Sequence, residues 1–216
     1  SLGLFGIRLA KTLNLPWVCH IRTQLVPSPW SRWLYRRINA SADCLVFITD
    51  MVMVHFSALV GSGFAMDKAA VIRNIAEAPA PGTKPLPELD AESPMLKVLS
   101  LSNFSANRGV DRIVNVAEVL QQRQEKGIVF FLYGKAANTK IGSKSKDPYS
   151  ARLFNRVKEH GLEDMVRFPG HTAAPDRALA GGDVLIKLTR EANPWGRDIM
   201  EAMAAGLPVV TLGAYE

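Results

Sequence analysis

The chain alternates short apolar runs with longer segments in which apolar residues recur every three or four positions. Short runs rich in β-branched residues predict strands, and the longer periodic segments predict helices. In the N-terminal part, strands are predicted at PWVCHIR, DCLVFIT and AAVIRNI, and helices over residues 2–14, in SPWSRWLYRRINASA and from about Asp50. Ser28 and Pro29 predict the start of the second helix, because serine caps helices and proline suits their first position.

The C-terminal part repeats this alternation more clearly. Strands are predicted at MLKVLSLS, IVFFLYG, MVRFPG, DVLIKLT and PVVTLG, and helices at VDRIVNVAEVLQQRQEKG, PYSARLFNRVKEHG, PDRALAGG and DIMEAMAAG. Gly127 is expected to end the first of these helices. Strands that alternate with helices predict parallel sheets covered on both faces, and a continuous apolar run such as IVFFLYG suits a strand buried on both sides. We therefore predict an α/β fold with two Rossmann-like parallel-sheet domains and a cleft between them.

A proline-rich segment, residues 78–94, interrupts the alternation. It contains five prolines and few apolar residues, which suits neither helix nor sheet. We expect a partial N-terminal domain at residues 1–78, a linker at 79–94 and a second domain at 95–216. The sequence has no initial Met, and its last residues directly follow a predicted strand. We therefore expect a fragment with two incomplete domains and with little or no activity on its own.

Composition narrows the class of protein. The 216 residues are 48% hydrophobic and 21% charged, which predicts a globular protein with a sizeable core. A net charge of +6 favours anionic partners: phosphates, nucleotides, nucleic acid or an acidic membrane surface. Cys19 and Cys44 lie in apolar runs and are expected to be buried free thiols, and no Cys/His spacing predicts a zinc site. No apolar stretch reaches the roughly 18 residues of a membrane span. Because free thiols fit a reducing compartment, we expect a cytoplasmic protein.

Loops that follow the C-terminal strands are the candidate ligand sites, because ligands of parallel sheets bind at that edge. Arg108 and Gly109 precede a helix, so Arg108 either meets a phosphate at the helix N-terminus or is a solvated turn residue. The loop after IVFFLYG is either a flap over an anionic ligand or a solvated loop. Its four lysines are Lys135, Lys140, Lys144 and Lys146.

The stretch REANPWGR, residues 190–197, precedes the last predicted helix. Pro194 and Gly196 predict an irregular backbone, and the free N–H groups of the helix are expected to point into the cleft. Arg197 and Glu201 share a helix face, so Glu201 either pairs with Arg197 or accepts hydrogen bonds from a ligand. A carboxylate can bind two vicinal hydroxyls, such as those of a ribose. Cations for phosphate beside a carboxylate for sugar hydroxyls predict a nucleotide or nucleotide-sugar site.

One long stretch matches the pattern of a known family. VRFPG…GGDVLIKLTREANPWGRDIMEAMAAGLPVV resembles the donor-binding motif of retaining glycosyltransferases of family 4, the group 1 type with a GT-B fold. VLSLSNFSANRGVDRIV resembles that family's first donor-domain strand and its basic–glycine turn, and PWVCHIR and AAVIRNI resemble the end of its acceptor domain. The resemblance covers nearly the whole chain, and motifs of this length are specific.

The resemblance implies roles for individual residues. Glu201 would bind the ribose of the nucleotide, and Arg108 the diphosphate. The implied catalytic residues are His20 and Arg22, which would reach from the acceptor domain towards the transferred sugar, together with Asn193 and Arg108. The implied donor-binding residues are Glu201, Arg108, Gly134, Lys135, Gly170, Glu191, Pro194, Trp195, Gly196 and Arg197.

Two positions depart from the family pattern. Asn193 stands where the family has the first acidic residue of its Glu-x7-Glu pair, and Glu191 lies two residues too early to replace it directly. Asn103 stands where an arginine often precedes the basic–glycine turn, so a lysine from residues 135–146 is the candidate replacement for one diphosphate contact. Taken alone, His20 is also typical of a half-buried structural histidine.

The resemblance implies transfer of a sugar from a nucleotide-diphosphate sugar to an acceptor hydroxyl of a saccharide or lipid-linked molecule, with retention of configuration. Neither a metal ion nor a cofactor beyond the nucleotide sugar is expected. Two alternatives stay open: another GT-B nucleotide-sugar enzyme, such as an epimerase or hydrolase, and a catalytically inactive nucleotide-sugar-binding fragment. Nucleic-acid binding is not expected, because the sequence has no RNA-binding signature and no single concentrated basic stripe.

The second predicted helix combines basic and aromatic side chains. Residues 29–37, PWSRWLYRR, interleave tryptophan and tyrosine with three arginines. Such a surface suits an anionic membrane or a lipid-linked acceptor, and the alternative is an ordinary amphipathic helix packed on its sheet. Peripheral contact with the inner face of the membrane through this helix is therefore one expectation.

Overall fold

The structure is a computed structural model that describes residues 2–89, 94–135, 148–190 and 196–212. The chain forms two compact units, with a boundary in the sequence between Ile75 and Ala76. Each unit contains a sheet whose strand pairs are all parallel in the described residues. The predicted α/β class is therefore confirmed.

The N-terminal unit is built on a three-stranded sheet. Its elements are α1 (Leu2–Leu13), β1 (Val18–Ile21), α2 (Pro29–Ser41), β2 (Cys44–Phe47), α3 (Asp50–Val60), a 3-10 turn at Met66–Lys68 and β3 (Ala69–Val71). The strand order is β1-β2-β3. The rings of Phe47 in β2 and Phe56 in α3 lie 5.3 Å apart in an edge-to-face contact, in a core that also includes one face of α2.

Helix α2 begins where the sequence predicts. The Ser28 hydroxyl accepts a hydrogen bond from the backbone N–H of Ser31, and the Ser31 hydroxyl accepts one from the N–H of Ser28. Pro29 is the first helical residue. Leu34 and Ile38 on the inner face are buried in the core, as in an ordinary amphipathic helix.

Both cysteines are free, as the sequence predicts, but they are half-buried rather than fully buried. The predicted extent of burial is therefore wrong. The reason for Cys19 is its position in β1, which stands at one end of the described sheet. Burial is still sufficient to raise the pKa of the Cys19 thiol to about 11. Cys19 is therefore a protonated thiol of low nucleophilicity at neutral pH.

The C-terminal unit is built on a five-stranded sheet. Its elements are β4 (Leu96–Leu101), a 3-10 turn at Ala106–Arg108, α4 (Val110–Gln122), β5 (Ile128–Tyr133), α5 (Pro148–Glu159), β6 (Val166–Gly170), α6 (Pro175–Gly181), β7 (Val184–Lys187), α7 (Arg197–Ala204) and β8 (Val209–Thr211). The strand order is β6-β5-β4-β7-β8. Helices α4 and α5 contribute to one hydrophobic core, and α6 and α7 to another, so the sheet is covered on both faces.

Helix α4 is shorter than the sequence predicts. The amphipathic pattern predicts a helix up to Gly127, whereas α4 ends at Gln122. Gln124 has a φ of 58°, in the left-handed region that ends a right-handed helix, and its N–H donates to the carbonyl of Gln121. The helix therefore ends at a left-handed glutamine rather than at the glycine.

Part of the proline-rich segment packs on the C-terminal unit. Leu89 is fully buried in the core that contains α6. Arg177 of α6 donates hydrogen bonds to the backbone carbonyls of Lys84 and Pro85, at 2.9 and 2.8 Å. These contacts make the stretch around Leu89 part of the second unit, and the boundary after Ile75 precedes it.

Candidate functional site

Strands β4 and β7 are neighbours in the sheet, although the chain leaves them in opposite directions. After β4 it passes through α4 to β5 on one side, and after β7 it passes through α7 to β8 on the other. In open parallel sheets, ligands bind outside the carboxyl ends of such a pair of strands. Residues 102–109 follow β4, and residues 188–190 follow β7, so we take this edge of the sheet as the candidate site.

The turn before α4 approaches the end of β7 so closely that it requires glycine. Gly109 has a φ of 67°, and a Cβ atom at this position would overlap the backbone carbonyl of Leu188. Glycine permits both the left-handed conformation and the close approach. As a result, the half-buried Arg108 and the N-terminus of α4 lie at the carboxyl edge of the sheet.

Asp111, in the first turn of α4, is the centre of a hydrogen-bond network. Its two carboxylate oxygens accept hydrogen bonds from the two terminal nitrogens of Arg190, at 2.7 and 2.6 Å. The Tyr149 hydroxyl, at the start of α5, donates to Oδ1 at 2.7 Å and accepts from the Asp111 backbone N–H at 3.1 Å. Arg190 also donates to the carbonyl of Ala106 at 2.6 Å. The network joins the starts of α4 and α5 to the stretch after β7.

These contacts shift the titration of the groups involved. The hydrogen bond from Arg190 is the main cause that lowers the pKa of Asp111 to about 2, and Tyr149 makes a smaller contribution in the same direction. Burial, followed by the hydrogen bond to Asp111, raises the pKa of Tyr149 to about 12. At neutral pH, Asp111 is therefore a carboxylate and Tyr149 a neutral phenol.

A second ion pair fixes α7 to the end of β7. The ammonium of Lys187, whose side chain is 3% exposed, contacts a carboxylate oxygen of Asp198, whose side chain is 12% exposed. A Cβ atom at Gly196 would overlap both charged groups. A larger residue at position 196 would therefore displace the pair, which holds the first turn of α7 at the carboxyl edge.

Arg197 and Glu201 form an ion pair one helical turn apart on α7. Nε and one terminal nitrogen of Arg197 both donate to Oε1 of Glu201, at 3.2 and 2.8 Å. The Arg197 side chain is 68% exposed, whereas that of Glu201 is 18% exposed. The pairing that the spacing suggested as one interpretation is therefore present, and it leaves Oε2 as the oxygen that Arg197 does not contact.

Hydrogen bonds also join the carboxyl ends of β4, β5 and β6. The Gly134 N–H donates to the carbonyl of Gly170 at 2.9 Å, and the Lys135 N–H donates to the side-chain oxygen of Asn103 at 3.2 Å. A Cβ atom at Gly134 would overlap the carbonyl of Ser102. The candidates Gly134, Lys135 and Gly170 thus lie on the same edge as the turn before α4, and Asn103 binds the backbone beside them.

His20 and Arg22 belong to the N-terminal unit. His20 lies in β1 and Arg22 directly follows it, so both are at the carboxyl end of that strand in its own sheet. Both side chains are exposed. His20 is therefore not the half-buried structural histidine that its apolar neighbours also suggest.

Several candidates lie outside the described residues. They are Glu191, Asn193, Pro194 and Trp195 of the stretch before α7, and Lys140, Lys144 and Lys146 of the stretch after β5. Their assignment rests on the sequence alone.

The sequence interpretation missed both ion pairs that hold the edge together. For Lys187 a signal exists: a lysine inside the apolar run DVLIKLT indicates a buried charge that needs a partner. Asp198, in the first turn of the next helix, is the nearest acidic residue after the strand apart from Glu191. Asp111 and Arg190 are 79 residues apart, and no spacing rule connects them.

The described ranges contain neither a cluster of metal-binding side chains nor a membrane-spanning helix. In residues 2–89, 94–135, 148–190 and 196–212, no three or more His, Cys, Asp or Glu side chains lie together as a metal site would require. Within the same ranges, no helix has both the length and the apolar character needed to cross a membrane.

Solved structures with a similar fold include glycosyltransferases. HepE from Anabaena, in complex with UDP and glucose, matches 97% of this chain and 56% of its own, with a TM-score of 0.74 and 22% identity. A glycosyltransferase from Rickettsia africae ESF-5 matches 97% of this chain and 60% of its own, with a TM-score of 0.67 and 15% identity. At these identities the likeness shows the fold alone, and it confirms the predicted GT-B class.

Sequence comparison identifies the family. The mannosylfructose-phosphate synthase of Agrobacterium fabrum (strain C58 / ATCC 33970) is 29% identical over 119 residues, which are 52% of this chain and 24% of that enzyme. The chain thus spans about a quarter of this curated relative and little more than half of HepE. The model of the family "Glycosyl transferases group 1" matches residues 87–215, which are more than half of the chain. The chain therefore belongs to the group 1 glycosyl transferases.

Proposed function

We propose that the protein transfers a sugar from a nucleotide-diphosphate sugar to an acceptor hydroxyl, with retention of the anomeric configuration. The observation that carries this proposal is that helices α4 and α7 both begin at the carboxyl edge of β4 and β7. Arg108 precedes α4, and Glu201 lies in the second turn of α7. A cationic, phosphate-binding turn beside a carboxylate for sugar hydroxyls suits a nucleoside diphosphate.

The diphosphate is proposed to bind at the N-terminus of α4. The start of a helix carries partial positive charge, and in α4 the N–H of Asp111 already donates to the Tyr149 hydroxyl and that of Arg112 to the Gly109 carbonyl. Arg108 and Lys135 add cationic side chains at the same edge of the sheet. When the bond between sugar and diphosphate breaks, negative charge grows on the leaving phosphate, and fixed cations and N–H groups aimed at that charge lower the barrier.

Glu201 is proposed to bind the ribose. Its side chain is only 18% exposed, and a carboxylate removed from water needs hydrogen-bond donors. Arg197 donates to Oε1 alone, so Oε2 can accept from a ribose hydroxyl while the ion pair persists. Arg197 is largely exposed and can also turn towards the diphosphate without uncovering a core residue.

A uridine nucleotide is the first donor that we propose to test. HepE from Anabaena has structures in complex with UDP and with UDP-glucose. That likeness is at 21–22% identity, so it supports the choice of probe rather than the identity of the sugar.

His20, Arg22 and Asn193 are proposed for the sugar and acceptor side. An exposed imidazole such as that of His20 can hydrogen-bond a sugar or acceptor hydroxyl and exchange a proton with it. Asn193 can hydrogen-bond a sugar hydroxyl but adds no charge. We propose no metal ion or cofactor for the step, because arginines and helix N–H groups supply the positive charge. The transfer rate is then expected to be insensitive to EDTA.

The outer face of α2 supports a membrane-linked acceptor. Trp30 and Trp33 on this face are 53% and 45% exposed, and the Arg37 guanidinium lies 5.8 Å from the centre of the Trp33 ring. The helix has three arginines and no acidic residue. Tryptophan favours the membrane interface, and each basic residue near an anionic surface contributes about 1 kcal/mol to binding. We therefore propose a cytoplasmic protein that contacts the anionic inner face of the membrane through α2.

Vesicle sedimentation tests the membrane contact. The protein should bind vesicles of phosphatidylcholine mixed with phosphatidylglycerol but not those of phosphatidylcholine alone. Binding should fall for the Trp30→Ala/Trp33→Ala variant. Met51→Ala/Val54→Ala, which truncates two exposed apolar residues of α3 in the same unit, is the matched control. Equal binding to both vesicle types, or equal loss in both variants, contradicts the proposed surface.

A thermal-shift panel of nucleoside diphosphates and their sugars tests the donor site. UDP, or another nucleoside diphosphate, should raise the melting temperature, and Glu201→Ala should abolish the shift. Glu125→Ala, at an exposed position after α4, should respond like the wild type. If no nucleotide stabilises the protein, or if Glu201→Ala responds like the wild type, the proposed site is wrong.

Product analysis separates transfer from its alternatives. Transfer consumes the acceptor together with the nucleotide sugar, hydrolysis releases free sugar, and epimerisation leaves the sugar on the nucleotide. The anomeric coupling constant of the transferred sugar in a proton NMR spectrum then shows retention or inversion. An inverted product contradicts the stereochemical part of the proposal.

A further inference from the structure

Asp111 binds side chains from two other parts of the C-terminal unit. The paired hydrogen bonds from Arg190 attach the first turn of α4 to the stretch after β7. The hydrogen bond from Tyr149 attaches the same turn to the start of α5. The side chains of Arg190 and Asp111 are 37% and 27% exposed, so water reaches both.

Stability alone explains this arrangement poorly. Solvent-accessible ion pairs contribute little to stability, because water screens the charges and the paired side chains lose conformational freedom. The network also orders Tyr149 beside the pair. The gain in stability is therefore small. The main effect of the network is the geometry that it imposes on the residues around it.

That geometry concerns the turn that contains Arg108. The guanidinium of Arg190 donates to the carbonyl of Ala106 at 2.6 Å, and its backbone N–H donates to the carbonyl of Asn107 at 2.8 Å. The Thr189 hydroxyl donates to the Asn107 carbonyl as well, at 2.9 Å. The two residues before Arg108 are thus tied to the end of β7, and Arg190 also binds the helix that follows.

The pairing with Arg190 also changes the charge at the start of α4. A carboxylate in the first turn of a helix interacts favourably with the partial positive charge there, so it competes with any anion bound at the same terminus. Asp111 would therefore weaken phosphate binding at α4 if it were unpaired. Arg190 neutralises this carboxylate through both of its oxygens.

We propose that Asp111 and Arg190 are positioning residues for the donor diphosphate. Together they hold the turn at Ala106–Arg108 so that Arg108 and the positive end of α4 face one phosphate site, and Arg190 keeps Asp111 from repelling the phosphate. Neither residue needs to touch the nucleotide. This inference rests on the proposed donor site and names the residues that shape it.

The same helix provides a matched control. Glu118, further along α4, accepts hydrogen bonds from Nε and a terminal nitrogen of Arg156 in α5, at 2.6 and 2.5 Å, and lies 3.3 Å from a ring nitrogen of His160. Its side chain is 13% exposed, so this pair is the more buried of the two. It lies about two helical turns beyond Asp111, away from the Arg108 turn.

Titration calorimetry with UDP tests the inference in four variants, with thermal unfolding measured in parallel. Asp111→Asn should weaken UDP binding about tenfold, because the turn loses a charge-assisted bond. Arg190→Gln should weaken it further, since Asp111 then faces the phosphates unpaired, and the double variant Asp111→Asn/Arg190→Gln should recover part of that loss. Glu118→Gln should lower the melting temperature at least as much as Asp111→Asn, but change UDP affinity by less than about twofold.

The outcomes are distinguishable. Equal losses of UDP affinity in Asp111→Asn and Glu118→Gln, or a double variant that binds more weakly than Arg190→Gln, overturn the positioning role. If the wild type binds no nucleoside diphosphate, the proposed function and this inference both fail. If Glu201→Ala abolishes binding while Asp111→Asn and Arg190→Gln bind like the wild type, only the positioning role fails. Tyr149→Phe, which removes one donor to Asp111, should give a smaller loss and is the substitute if Asp111→Asn does not fold.

Discussion

Lys187, the last residue of β7, and Asp198, in the first turn of α7, form an ion pair in which both side chains are largely buried. The pair fixes the start of the helix to the end of the strand. Glu201 lies less than one turn further along α7, so the same contact fixes where this carboxylate lies relative to the sheet. The proposed donor site therefore includes a helix whose first turn is held to the end of the strand by a largely buried ion pair.

Lys187→Met is predicted to lower the free energy of unfolding by about 3–5 kcal/mol, because it leaves the Asp198 carboxylate buried without its cation. The double variant Lys187→Met/Asp198→Leu should recover much of this loss, since no buried charge remains. Urea denaturation measures both.

The control for this prediction is the exposed pair of Arg167 and Asp164, whose side chains are 49% and 105% exposed. Arg167→Met should change the free energy of unfolding by less than about 1 kcal/mol. A double variant at 187 and 198 that is as unstable as Lys187→Met contradicts the explanation by an unpaired charge.

Gly109→Ala is predicted to destabilise the protein more than Gly127→Ala. Both glycines have a positive φ, 67° and 79°, and alanine in this conformation costs about 1–2 kcal/mol at either position. A Cβ atom at Gly109 would in addition overlap the carbonyl of Leu188, whereas no described atom lies within 4 Å of one at Gly127. The difference between the two unfolding free energies measures the close approach, and UDP affinity should fall only for Gly109→Ala. Equal effects would show that the turn can move away from β7 without penalty.

The pairing of Asp111 predicts a specific dependence of stability on pH. Its pKa of about 2 in the folded protein lies below the ordinary value of 3.8. A carboxyl group with a lowered folded pKa stabilises the fold above its unfolded pKa, and this contribution disappears as the pH falls from about 4 to about 2. In urea denaturation, the stability difference between wild type and Asp111→Asn should therefore be constant above about pH 5 and shrink below about pH 4. A difference that persists unchanged to pH 2 contradicts the pairing.

Hydrophobic periodicity predicts the order and type of the elements, because each element must bury a face of its own. The run IVFFLYG becomes β5, which is buried along almost its whole length between two layers of helices. The Ser28–Pro29 signal marks the start of α2, since the cap is a local hydrogen-bond pattern between Ser28 and Ser31. Such features depend on residues that are close in the sequence, so the sequence is sufficient to predict them.

Contacts between residues that are distant in the sequence cannot be predicted from local patterns. The close approach of Gly109 to Leu188 and the pairing of Asp111 with Arg190 both follow from the placement of β7 beside β4. No local pattern fixes that strand order. The end of α4 is missed for another reason: Gln124 adopts a left-handed conformation that is uncommon for glutamine, so Gly127 is the stronger signal in the sequence.

The candidate site likewise has residues that the sequence predicts and contacts that it does not. Family motifs point to Arg108 and Glu201, because the motifs are contiguous in the sequence. The charged side chains that bind the first turns of α4 and α7 are Arg190 and Lys187, from the end of β7 and the stretch after it, and only the fold brings them to Asp111 and Asp198.

The central claim is that Glu201 binds the ribose of a nucleoside diphosphate, and a binding cycle with two nucleotides tests it most directly. Wild type and Glu201→Ala are each titrated with UDP and with 2′,3′-dideoxy-UDP, which lacks the ribose hydroxyls. The wild type should prefer UDP by about tenfold or more, the effect expected of hydrogen bonds to a charged acceptor, and Glu201→Ala should bind both nucleotides equally weakly. If Glu201→Ala prefers UDP by the same factor as the wild type, the ribose hydroxyls are bound elsewhere and the central claim is wrong.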